Sequence, residues 1–171
     1  MVAIWFHWVI ALLVIVNLAV GILHDAVPAL RSWMGAHKAI GITVLVLTAG
    51  RVAWRLGHRP PPLPARTPVW EMGLAHVAHG ALYLLLVAMP LTGWLMVSGT
   101  DTRRPLDWFG LFDIPYLPVS QAAGGFGRDT HGLLGWLMLA LVALHIGAAV
   151  RHHLLLRDPV LARMAPVFRH R

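Results

Sequence analysis

Residues 130–153 read THGLLGWLMLALVALHIGAAVRHH. Between 131 and 150 the run is apolar except for His131 and His145. A continuous stretch of about 20 such residues, rising 1.5 Å per residue, is the length that crosses a hydrocarbon core of roughly 30 Å. The two histidines are 14 positions apart. At about 100° per residue they return to within about 40° of one helix face and lie roughly 21 Å apart along the axis. One helix thus carries two imidazoles on a shared face, near opposite ends of the span.

The rest of the chain repeats the apolar pattern. Further runs cover about residues 4–22, 36–54 and 72–97, which with 131–150 make four spans in one domain over residues 1–171. The runs are continuous instead of alternating, which disfavours a closed barrel. The expected fold is all-α, an integral membrane four-helix bundle. Composition agrees: 58% of the 171 residues are hydrophobic and 12% charged, with a mean hydropathy of +0.68, whereas soluble domains carry about a quarter charged residues. The first run lacks a basic segment before it and a small-residue cleavage site after it, and Trp5, His7 and Trp8 suit a retained interfacial helix end, so it reads as a span and not a signal peptide.

Residues 55–68, RLGHRPPPLPARTP, cannot continue a helix through their prolines and form a linker. The longest connection, 98–130, holds Trp108, Phe109 and Tyr116 with several prolines and glycines, and reads as an interfacial cap. Arg51, Arg55, Arg59 and Arg66 flank the linker and Arg151, Arg157, Arg163, Arg169 and Arg171 the last span, against Glu71 and Asp158. On the other side Arg31, Lys38, Arg103, Arg104 and Arg128 are offset by Asp25, Asp101, Asp107, Asp113 and Asp129. Basic residues mark the cytoplasmic side, so both termini are expected there. The net charge of +7 serves this orientation; no stripe of basic and aromatic residues points to nucleic acid.

The chain has no cysteine, which excludes thiolate-ligated haem, cysteine-bound clusters, disulfides and CxxCH attachment. Metal chemistry must rest on histidine, methionine or carboxylates. There are eleven histidines. A lone intramembrane histidine is as readily explained by a hydrogen bond to a neighbouring helix, but depth sorts four of these into couples. His7 lies level with His145 at the cytoplasmic end, and His37 with His131 at the outer end. Two facing neutral imidazoles across a bundle are how b-type haem is held without covalent attachment. The fold expectation therefore includes two haem b groups between the helices, with His7, His37, His131 and His145 as iron ligands.

His76 and His79, at i and i+3, sit near the cytoplasmic start of the third span. HExxH is absent and only Glu71 lies nearby, so hydrogen bonding to a haem propionate or a quinone is the functional reading, beside simple satisfaction within the bundle. His24 and His58 read as interfacial, and His153 and His170 as helix-end or headgroup residues. Met89 and Met96 read as core. Gly21, Gly35, Gly41, Gly80, Gly93, Gly132 and Gly135 offer room for a porphyrin edge or close helix packing.

The segments FHWVIALLVIVN, AHKAIGITVLVLTAGRVAWR, GLAHVAHGALYLLLVAMPLTGW and THGLLGWLMLALVALHIGAAVRHH together resemble the bacterial cytochrome b561 family, through Met164. The resemblance implies a di-haem protein of the bacterial inner membrane that exchanges electrons with quinone, with ligands at the same four histidines. One branch oxidises superoxide at the outer face and reduces ubiquinone near the cytoplasmic haem, and by resemblance His152 is a quinone-site residue. Family members carry a short basic segment before the first span, whereas only three residues precede Ile4 here. The expected function is superoxide:ubiquinone oxidoreductase, with membrane lipid and quinone as partners. Two alternatives are a haem b anchor subunit relaying electrons between quinone and a periplasmic protein donor, and a histidine-lined transporter without haem.

Overall fold

The computed structural model describes residues 1–58, 68–102, 104–156, 161, 164 and 165. Arg59, Arg66, Arg103, Arg157, Asp158, Arg163, Arg169, His170 and Arg171 lie outside the described residues. The fold is all-helical: α1 (Val2–Leu23), a 3-10 turn (Pro28–Trp33), α2 (Met34–Gly57), α3 (Val69–Ser98) and α4 (Gln121–Arg151), which runs into a π-helical turn (His152–Leu156). Among the described residues, four segments are long and apolar enough to cross a membrane. Successive helices pack on one another, α1 on α2, α2 on α3 and α3 on α4, while α1 meets α4 over a much smaller area. One end of the bundle therefore carries both chain termini and the 57–69 connection; the other carries the two remaining connections.

Lipid is written into the burial pattern. Only 6% of the apolar windows of α3 and α4 is buried inside the protein, against 17% for α1 and 22% for α2 with its preceding turn. Large side chains such as Leu12, Val46, Leu84, Leu133 and Trp136 point outward, an arrangement that water would penalise and acyl chains favour. The interior is small. Ile10, Ile40 and Val44 join α1 to α2, with Phe6 and Leu47 against them. Leu18, Leu85 and Met138 join α1, α3 and α4.

The helices reach beyond the apolar runs, most of all in α4, which begins ten residues before His131. Gly124, Gly125, Gly127, Arg128 and Asp129 interrupt the hydrophobic pattern there, but two features make this segment helical. Ser120 caps it, its side chain accepting from Ala123 N at 3.3 Å. The glycines also let two backbones touch: a β-carbon at Gly124 would fall 2.7 Å from Gly99 Cα, and one at Gly127 would fall 2.8 Å from Met96 N. Small residues at such a crossing are how membrane helices gain contact when hydrophobic drive is absent.

At the end carrying the termini, Arg151 pairs with Glu71 at 3.2 Å, fastening α4 to the start of α3. Trp8 Nε1 donates to the Met164 carbonyl at 2.7 Å. At the far end the 99–120 connection folds back over α2, where Lys38 donates to the Pro105 carbonyl. Trp94 Nε1 donates to the Pro115 carbonyl at 3.0 Å.

Candidate functional site

Antiparallel neighbours bring the beginning of one helix level with the end of the next. His7, near the start of α1, thus meets His145, near the end of α4, with ring centroids 6.2 Å apart and planes at 43°. At the opposite end His37, in the first turn of α2, faces His131 of α4 at 6.1 Å and 83°. Each pair takes one member from α4. The other comes from α1 in one case and α2 in the other.

The far-end pair is held by backbone. His37 Nδ1 lies 3.1 Å from the Asn17 carbonyl. His131 Nδ1 lies 3.0 Å from the Met89 carbonyl and 3.2 Å from Thr92 Oγ1, whose own hydroxyl donates to Met89 at 2.9 Å. A carbonyl only accepts, so each Nδ1 carries the proton, and each Nε2 keeps its lone pair for another partner. Both rings also rest on glycine. A β-carbon at Gly21 would come within 2.9 Å of His37 Cε1, and one at Gly93 within 3.1 Å of His131 Cε1. A cavity of about 1400 Å³ opens beside them, lined by Asn17, Gly21, His37, Gly93, His131 and Gly132 among others.

The pair at the other end is organised differently. His7 Nδ1 is buried without a hydrogen-bond partner among the described residues. A third imidazole, His79, stands 5.5 Å from His145 at 72°. Arg51 acts electrostatically on His7, His79 and His145, and both Arg51 and Arg55 lie 5.5 Å from the centre of the Tyr83 ring. His76 is not brought into this group: its Nδ1 turns back to the Met72 carbonyl at 2.6 Å, on an exposed face. His152 is half-buried at the start of the π turn. His58 stacks on Trp54 at 3.7 Å and His24 Nδ1 bonds to the Gly21 carbonyl at 2.9 Å; both sit at helix ends.

These pairs can be tested for fit to a metal held between two imidazoles. With metal–nitrogen bonds of roughly 2.0–2.1 Å and each ring centre about 1.1 Å behind its nitrogen, a metal between the two rings puts the centroids about 6.2–6.4 Å apart. The two observed separations are 6.2 and 6.1 Å. At one end the Nε2 lone pairs and the adjoining cavity fit a haem held between two imidazoles. At the other, the ring spacing and a His7 Nδ1 with no hydrogen-bond partner among the described residues mark a polar site. No group of three or more His, Cys, Asp or Glu side chains suited to a bare metal ion occurs among the described residues.

Sequence reasoning missed the clamps. The carbonyls of Asn17 and Met89 leave no mark in a side-chain pattern. Thr92 could have been found as a hydroxyl in an otherwise apolar stretch of α3.

The fold and the paired imidazoles define a class: a four-span helical membrane bundle organised around half-buried histidine couples. The family model described as prokaryotic cytochrome b561 matches residues 1–166. Cytochrome b561 homolog 2 of Escherichia coli K12 is 34% identical over 165 residues, 93% of this chain and 86% of that protein. A protein named probable superoxide oxidase CybB, of Yersinia pestis, is 33% identical over 168 residues, covering 94% and 91%. Cytochrome b561 homolog 1 of E. coli K12 is 26% identical over 167 residues. The chain belongs to the prokaryotic cytochrome b561 family. It is a membrane electron-transfer protein, and the family implies b-type haem.

Proposed function

We propose that this protein is a superoxide:ubiquinone oxidoreductase of the bacterial inner membrane, with both termini cytoplasmic and two haem b groups. His37 and His131 hold the outer group, and His7 and His145 the inner one. The observation that carries this reading is the repeated centroid spacing, 6.1 Å at one end and 6.2 Å at the other. When bound, haem would supply the one-electron redox chemistry that the side chains do not.

The chain's part is to hold, orient and insulate. The Asn17 and Met89 carbonyls fix the outer imidazoles in the tautomer that exposes Nε2. Arg51 and Arg55 supply positive charge for the carboxylates of the inner group. At the outer mouth, Lys38, Arg104 and Arg128 line the cavity beside Asp25, Asp101 and Asp129, and their cationic members raise the encounter rate of a small anion. At the inner end His79 and His152 face quinone or the cofactor's edge. Two superoxide anions each lose one electron and leave as O2. One ubiquinone gains both electrons, takes two protons from the cytoplasmic side and becomes quinol. The relative named as a probable superoxide oxidase supports this choice of donor.

The test is haem quantified per chain, together with superoxide-driven ubiquinone reduction in purified protein. Two haem b per chain are expected, falling to one in His131→Ala and in His145→Ala with helical content intact. An unchanged haem count in either variant overturns the ligand assignment. Absence of quinol formation with superoxide overturns the assigned reaction.

A further inference from the structure

The 99–120 connection contains a small hairpin whose tip the site does not use. Its base is an antiparallel bridge between Asp107 and Asp113. Phe109 (φ 50°) and Gly110 (φ 73°) reverse the chain in the left-handed region. The tip reads Trp108-Phe109-Gly110-Leu111-Phe112 and carries no charge. Trp108 stacks on Phe112, yet Phe109 is 50% exposed, Leu111 73% and Phe112 59%.

Depth decides what these side chains face. Trp108 Nε1 donates to Thr43 Oγ1 at 3.0 Å, and Thr43 lies nine positions into α2, a helix of 24 residues. At 1.5 Å per residue that helix is about 36 Å long; a hydrocarbon slab of about 30 Å, slid anywhere along it, keeps Thr43 at least about 7 Å inside. The Trp108 indole thus reaches five residues further along α2 than Lys38, whose ammonium holds the Pro105 carbonyl. Residues 36–45 of α2 contain no exposed position, and exposure resumes at Val46. The hairpin occupies the place lipid would otherwise take.

Its backbone suits the same setting. Trp108 N donates to Phe112 O at 2.8 Å, Leu111 N to Trp108 O at 3.0 Å and Ile114 N to Leu106 O at 2.8 Å. Gly110 N donates to Asp107 Oδ1 at 2.5 Å. Four amide donors of the segment are thus bonded within it, which lowers the cost of placing irregular backbone at the membrane interface.

We propose that the 106–114 hairpin is seated in the lipid leaflet at this end of the bundle. The side chains of Phe109, Leu111 and Phe112 reach acyl chains, while the backbone of the turn, with the Asp107 carboxylate on Gly110 N, and Asp113 stay at the interfacial level. The occupant of this surface is lipid and not a soluble protein. Through Leu106 the same segment also lines the cavity beside His37.

The chain's lack of cysteine makes the test direct. Single variants Leu111→Cys and Phe112→Cys, with Val46→Cys and Asp101→Cys as lipid and water references, are nitroxide-labelled in the full chain. They are then reconstituted into phosphatidylcholine/phosphatidylglycerol vesicles. Power saturation with oxygen and with a water-soluble nickel chelate should place labels 111 and 112 with label 46: open to oxygen, with nickel collisions severalfold fewer than at 101. Nickel accessibility matching that of label 101 overturns the proposal and leaves the tip in water, where a protein could dock. Unchanged circular dichroism establishes the fold of each variant, and either tip position alone suffices.

Discussion

The His37 ring lies against Gly21 so closely that a β-carbon there would come within 2.9 Å of His37 Cε1. Real β-carbons do not approach that near, and the imidazole is pinned from behind by the Asn17 carbonyl. Gly21→Val therefore forces His37 off its axis toward His131. The expected outcome is loss of about one of two haems per chain, read by pyridine haemochromogen assay, with the His7–His145 end unaffected. Gly21→Ala should give a weaker version of the same loss, since the ring then needs only a small shift.

His145 has two imidazole neighbours, His79 at 5.5 Å and His7 at 6.2 Å. Only the longer separation matches coordination through opposite faces of one metal. His7→Ala should lower bound haem to one per chain, whereas His79→Ala should keep both and alter quinone reduction. The reverse pattern would make His79 the ligand.

Thr92 gives His131 a second hydrogen-bond acceptor beside the Met89 carbonyl. Loss of groups that orient a metal-binding histidine typically weakens binding 10–100-fold. Because Met89 remains, Thr92→Val should sit at or below about tenfold. Haem titration of the apoprotein reads it, together with a shift in the midpoint potential of one haem only.

Gly124 touches Gly99 through backbone atoms on both sides, so no flexible side chain can yield. Gly124→Ala should separate α3 from α4 and cost about 1–3 kcal/mol, the usual range for overpacking. A lower melting temperature in detergent checks this. Gly125→Ala, where nothing among the described residues lies within 4 Å, should not lower stability and can raise it through helix propensity.

Arg104 and Arg128 line the mouth of the cavity. Replacing both with glutamine should slow the second-order reaction with superoxide by about tenfold at low salt, within the range of electrostatic steering. The parent rate should fall as ionic strength rises and the variant rate should not. A rate indifferent to both changes argues against an anionic donor.

The centres of all four helices were legible in the sequence because lipid demands long unbroken apolar runs, and that demand is hard to mimic. The beginning of α4 was not, since Arg128, Asp129 and three glycines carry no apolar signal there and what makes them helical is contact with Gly99 and Met96. Histidine depth could be counted along each helix, which is why His7 and His145, and His37 and His131, could be named as couples. The backbone clamps at Asn17 and Met89 could not be counted, because every residue has a carbonyl. His79's approach to His145 was equally hidden: it depends on how far α3 leans toward α4, a quantity that spacing along one helix does not contain.

His131 and His145 are carried by a single uninterrupted helix, and this turns α4 into a ruler. Adding or removing one residue between them would swing one imidazole by about 100° and move it about 1.5 Å along the axis, breaking one couple whatever residue was inserted. The side chains along that interval can be exchanged for others that dissolve in lipid. Its length is the quantity the chain must hold fixed.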